Sequence, residues 1–131
     1  MTHQEKQLLL KDLCARLPYG VKILQGDVVI ETLGSICKIG DNDYTINPIT
    51  TDMYNGFHVE QVKPYLRPMS SMTEEEKEIY SSFAVAYGNS RTIMIPSPIA
   101  MDYLLSYHFD VRGLIPRGLA LEAPTDMYKT E

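Results

Sequence analysis

The chain is poor in the residues that announce a chemistry. It holds two cysteines, Cys14 and Cys37, and three histidines in 131 residues. The cysteines stand too far apart for a C-x-x-C pair. No histidine has H-x-x-x-H spacing, so a structural or catalytic metal centre is not expected and no cofactor is implied. Two lone cysteines are most simply small apolar core residues; a disulfide between them is conceivable but not implied. There is no G-x-S-x-G, no Walker loop and no G-x-G-x-x-G, which removes the usual signals for a serine hydrolase or a nucleotide site and leaves no identifiable small-molecule substrate. Asp41-Asn42-Asp43 lacks the rest of a calcium loop and reads as a hairpin turn. No run approaches the ~18 apolar residues of a membrane span, and the charged start MTHQEKQLLLKDL does not read as a signal peptide. A soluble, cytoplasmic protein is expected. Tryptophan is absent, which narrows nothing.

Basic clusters are missing too. The formal charge is −5, with the acidic excess in residues 73–131. An acidic chain without a Lys/Arg run argues against nucleic acid and anionic membrane, because phosphate attraction needs a basic face. With 44% apolar and 22% charged residues, the composition is that of an ordinary globular domain.

What is present is a clear order of elements, predicting a single α+β domain over 1–131. Thr2 and Glu5 form a capping box, and Leu10, Leu13, Cys14 and Leu17 recur on one face of a helix over about 3–16, stopped by Pro18 and Gly20. Residues 21–67 are rich in β-branched side chains and broken by Gln25-Gly26-Asp27 and Gly40-Asp41-Asn42-Asp43. They predict a small, bent antiparallel sheet, for which an SH3-like barrel is one fitting geometry. Pro48 and Pro64 belong at strand ends or edges, since each lacks a donor. A helical region over about 73–121 comes next. Thr73 and Glu76 make a second capping box, with Ile79, Phe83 and Ala86 or Tyr87 as the buried stripe, closed by Gly88-Asn89. RTIMI (91–95) reads as a short strand. Ser97-Pro98 opens a further helix to about Tyr107, with Met101, Leu104, Leu105 and His108 on one face. A compact, turn-rich tail ends the chain.

Past that helix comes SYHFDVRGLIPRGLALEAP (106–124). A protonated His108 would suit a helix C-terminus. Asp110 can accept backbone donors in the turn after the helix, and Arg112 can pair with Asp110 or the last carbonyls. Gly113 and Gly118 permit turns, and Leu114, Ile115, Leu119 and Leu121 can return to the core. Every residue has a structural task, which outweighs the alternative that His108, Asp110 and Arg112 converge as a small active site. Nine tyrosines and seven methionines are many for this length. Tyr and Met are enriched at interface centres, which makes Tyr103 and Tyr107, four apart on one helix face, candidates for partner binding beside His108, Asp110 and Arg112. For a nucleic-acid alternative the candidate patch is Lys22, Lys38, Lys63 and Arg67. The favoured reading is a non-enzymatic module that binds a protein partner or itself.

Three segments, LLLKDLCARLPYGVK (8–22), VKPYLRPMSSMTEEEK (62–77) and HFDVRGLIPRGLALEAPTDMY (108–128), resemble small uncharacterised proteins of gut Bacteroidales bacteria and of their phages and mobile elements. The resemblance implies a phage- or mobile-element-linked accessory protein. It carries over no activity and no catalytic residue. The family pattern often has Trp-Leu-Asn ahead of the histidine, where this chain has Tyr103-Leu104-Leu105.

Overall fold

The computed structural model describes residues 1–26, 29–41, 43–49, 56–83 and 98–128. Among these, three helices accompany a six-stranded mixed sheet, an α+β architecture. Helix α1 spans His3–Arg16. After it come strands β1 (Lys22–Gln25), β2 (Val29–Lys38), β3 (Tyr44–Pro48), β4 (Phe57–His58) and β5 (Val62–Leu66), then helices α2 (Glu74–Phe83) and α3 (Pro98–Ser106), and a last short strand β6 (Leu121–Glu122). The strand order is β4-β3-β2-β1-β5-β6. Among the described residues the sheet is open, with β4 and β6 at its two edges, so it does not close into the SH3-like barrel. Nor is it wholly antiparallel: β6 runs parallel to β5, with Tyr65 opposite Leu121 and Leu66 opposite Glu122. No helix among the described residues is long and apolar enough to cross a membrane. The expected strand at 91–95, the Gly88-Asn89 stop, Ala86 and Tyr87 lie outside the described residues.

Both capping boxes form. Thr2 Oγ1 accepts the Glu5 amide at 3.1 Å while Glu5 Oε1 accepts the Thr2 amide at 2.9 Å. Thr73 and Glu76 repeat the exchange at 3.1 and 2.9 Å. The box satisfies two of the donors that a helix start leaves open.

The face that α1 buries differs from the expected stripe. Leu9, Leu10 and Leu13 enter the core together with Asp12 and Arg16, while Cys14 is exposed and Cys37 half-buried, both as free thiols. The cysteines are therefore not core residues. The apolar stripe has turned toward Leu9–Leu13 because Asp12 and Arg16, one helical turn apart, neutralise each other and go in with it.

The main core joins α1 to the sheet through Leu9, Leu13, Val21, Ile23, Ile46, Val62 and Leu66, all fully buried. Each such side chain stabilises the fold by about 1.5–3 kcal/mol relative to exposure. A second, smaller cluster of Met72, Tyr103, Leu104 and Phe109, flanked by Tyr80 and Val111, sits under α2 and α3. In α2, Ile79 of the expected stripe is 39% exposed rather than buried, and the burial of Phe83 lies outside what the structure describes. In α3 the buried face is Ala100, Tyr103, Leu104 and Leu105.

Two irregularities shape the sheet. The β2–β3 register shifts between Leu33 and Ser35. Gly34 is the extra residue, and a Cβ there would stand 2.5 Å from Ile49 Cα, so only glycine fits this bulge. The shift lets both Leu33 and Ile36, three apart, face the core. Pro48 ends β3 as expected, but Pro64 occupies the middle of β5, an interior strand. Antiparallel pairing tolerates it. Gly26 donates to the Gln61 carbonyl, so residues 63 and 65 turn their backbone groups to β1 and Pro64 turns away. On that other side β6 reaches only Tyr65 and Leu66.

Candidate functional site

The candidates of the C-terminal block lie in a framework that begins where α3 stops. The His108 amide donates to the Leu105 carbonyl at 3.0 Å and the Phe109 amide to the Leu104 carbonyl at 2.9 Å. These are the two bonds of a Schellman ending, with Phe109 packed on Leu104 as its hydrophobic contact. Glycine normally takes the left-handed position of this motif. Here it is His108, at φ 67°, the only non-glycine with positive φ among the described residues. That conformation costs about 1 kcal/mol, and it carries the imidazole ring inward. It is 8% exposed and stacks on Tyr128 at a centroid distance of 3.7 Å.

Burial and the positive charges of Arg16, Arg67 and Lys22 push the His108 imidazole down to about 4. It is therefore neutral near pH 7. The expected dipole-favoured imidazolium is overturned because loss of hydration and nearby cations outweigh the helix end. Tyr128 is held in turn. Its hydroxyl accepts the Lys22 amide at 2.8 Å and donates to the Tyr65 carbonyl at 2.7 Å. By the β1–β5 register these two backbone groups would meet directly. The phenol is inserted between the strands and completes their ladder from a side chain, and burial raises its pKa to about 12.

Beyond Tyr128 the chain 108–110 lines up with Arg67. The Arg67 amide donates to the His108 carbonyl at 2.7 Å, and the Asp110 amide to the Arg67 carbonyl at 2.8 Å. Asp110, 8% exposed, accepts the amides of Leu114 and Ile115 at 2.8 and 3.0 Å. It caps the turn as the sequence suggests, and Gly113 and Gly118 in the next turns have positive φ. Arg112 pairs with neither Asp110 nor the helix carbonyls. Its Nη1 reaches Asp12 Oδ1 at 2.8 Å, on the first helix. Asp12 also takes Arg16 Nε at 2.7 Å, and Arg16 Nη2 donates to the Phe109 carbonyl at 2.6 Å. Asp12 and Arg16 are both fully buried. Sequence reasoning misses this clamp and misses Tyr128. The visible signal is Asp12 and Arg16 at i, i+4 beside Leu9 and Leu13. His108, Asp110 and Arg112 thus point to three different places: a tyrosine ring, two main-chain amides and the α1 carboxylate.

The nucleic-acid alternative is met only in part, for three of its four residues share a face and the fourth does not. Lys22 and Lys63 alternate with buried residues on β1 and β5 and share the sheet face away from the core. Lys22 Nζ bonds the Thr32 hydroxyl. Arg67 has the same parity but is held by Glu76 in a two-pronged pairing of 2.7 and 2.7 Å and lies over the Phe109 ring at 4.2 Å. That hydrogen-bonded pairing holds the Glu76 carboxyl below the usual range. Lys38, at the end of β2 opposite Tyr44, falls on the parity of core-facing Ile36. Among the described residues no three His, Cys, Asp or Glu side chains are grouped to hold a metal.

One concavity adjoins this framework. A cleft of about 750 Å³ lies between 122–125 of the tail and the segment from Pro68 to Glu76, with Arg67, Tyr107 and Tyr128 also lining it. Tyr103 supports Tyr107, their rings 4.7 Å apart, and Tyr107 is 46% exposed. Of the tyrosine candidates, Tyr107 reaches this surface, whereas Tyr103 is buried in the smaller core. Comparison of the chain with protein-family models, with curated proteins and with solved structures gave no match.

Proposed function

We propose that the chain is a non-enzymatic interaction module that seats a protein partner, or a second copy of itself, in the cleft between its tail and α2. The observation that carries the reading is how the polar groups are spent. Asp110 caps its own turn, Arg112 ties the tail to α1, and the His108 ring is packed face to face on Tyr128. Tyr107 instead stands open on a concave surface. An aromatic ring of low conformational freedom at the wall of a cleft is a typical interface anchor. Arg67 is neutralised by Glu76 and Lys38 falls on the other parity, so only Lys22 and Lys63 remain as a phosphate footprint, and a protein partner is favoured over nucleic acid. The association with phages or mobile elements, implied by the resemblance of three segments of the chain, and a cytoplasmic location belong to the same proposal.

Light scattering and affinity capture with the wild-type chain and with a Tyr107→Arg variant test it. The wild type is expected to self-associate or to retain a defined protein that the variant loses. A strictly monomeric chain that retains nothing, or retention that Tyr107→Arg leaves unchanged, would refute the reading.

A further inference from the structure

The cleft has a charge, and the charge selects an occupant. Three glutamates and one arginine line it. The arginine, Arg67, is bound on both nitrogens by Glu76, so that pair cancels. Glu75 and Glu122 remain. Both are exposed, both line the cleft, one from α2 and one from β6, and neither has a cation partner among the described residues. The Tyr107 ring, 46% exposed, lines the same cleft. Two unneutralised carboxylates in a cleft that also holds an open aromatic ring suit a guanidinium or ammonium group, which gains from both the opposite charge and the ring quadrupole. The wall at Glu122 is also the outermost strand of the sheet. Its outer edge is unpaired among the described residues, and such an edge offers main-chain donors and acceptors to an extended chain.

We infer that the cleft binds an extended, arginine- or lysine-bearing peptide segment of a partner, its cationic side chain held between Glu75 and Glu122 beside Tyr107 and its backbone aligned on β6. This deepens the interaction reading and rests on it.

The test titrates the full chain with three probes: a short blocked peptide alternating arginine and valine, the same peptide with glutamate for arginine, and N-acetyl-arginine amide. Calorimetry gives affinity, and amide shifts locate the contact. The arginine peptide is expected to saturate, to move amides at 73–76, 107 and 122–125, and to weaken as salt rises. Glu75→Gln with Glu122→Gln should reduce its affinity by about tenfold, equivalent to ~1.4 kcal/mol. Both side chains are exposed, so the far-UV spectrum should not change. Absence of saturable binding, equal affinity in the double variant, or N-acetyl-arginine amide binding as tightly as the peptide would overturn the inference. If the glutamate peptide instead moved the same amides, the basic-ligand assignment would fall while the cleft remained a docking site.

Discussion

Replacing Asp12 by alanine should be among the most damaging single changes available to this molecule. The carboxylate takes Arg16 Nε at 2.7 Å, Arg16 Nη2 at 3.2 Å and Arg112 Nη1 at 2.8 Å. Arg16 is fully buried and would keep only its bond to the Phe109 carbonyl. Removing one member of a buried ion pair costs about 3–5 kcal/mol, because the other charge is stranded away from water. For a domain whose total stability is about 5–15 kcal/mol that is a large share. At about 3–5 °C per kcal/mol for this size, the melting temperature should fall by roughly 10–20 °C. Thermal and urea unfolding followed by far-UV circular dichroism measure the two quantities, since the chain has no tryptophan to report. The partner changes separate charge from packing. Arg112→Met removes a group that is 21% exposed and should cost about 1 kcal/mol. Asp12→Leu combined with Arg16→Met removes both buried charges and should be far milder than either alone, with a coupling of several kcal/mol. If Asp12→Ala costs under about 1 kcal/mol, or the double change is merely the sum of the singles, the buried pair is not the clamp described.

Three further outcomes rest on the same framework. Tyr128→Phe removes the hydroxyl between Lys22 and Tyr65 and should cost about 1–3 kcal/mol in urea unfolding, with faster exchange of the Lys22 amide. His108 is neutral in the fold, with a pKa of about 4 against 6.5 unfolded, so the unfolded chain binds more protons between those values. Stability should therefore be fully present above pH 6.5 and fall by about 3 kcal/mol as pH drops to 4. His108→Asn, which tolerates positive φ, should flatten that slope in unfolding curves taken across pH. Gly34→Ala drives a Cβ into the Ile49 backbone and should cost about 2 kcal/mol by denaturant titration, with amide shifts confined to the β2–β3 hairpin.

What is legible in the sequence is what local chemistry decides. The two capping boxes need only residues three apart, and they mark the starts of α1 and α2. Asp110 as acceptor of nearby amides is also local. The misses come from distant partners. Asp12 and Arg16 carry no mark of burial, because polar residues in a helix usually face solvent; theirs depends on Phe109 and Arg112, about a hundred positions on. His108 hides a Schellman ending because the motif's signal is glycine. β6 has two residues, too few for any periodicity, so neither its parallel pairing nor the cleft it borders can be foreseen. Pro64 reads as an edge residue because its missing donor weighs against an interior strand until the direction it faces is known.

The Tyr128 phenol and the buried guanidinium of Arg16 also constrain the order in which the molecule can assemble. A nascent chain that has emerged only as far as β5 already holds Asp12, Arg16, Lys22 and Tyr65, yet it lacks the carbonyl, the second arginine and the phenol that finish them. Such a fragment has an incomplete ion cluster and a gap between its central strands, so it has little to gain from settling early. The structure is therefore expected to form in one late cooperative step, when residues 108–128 arrive and supply all three at once.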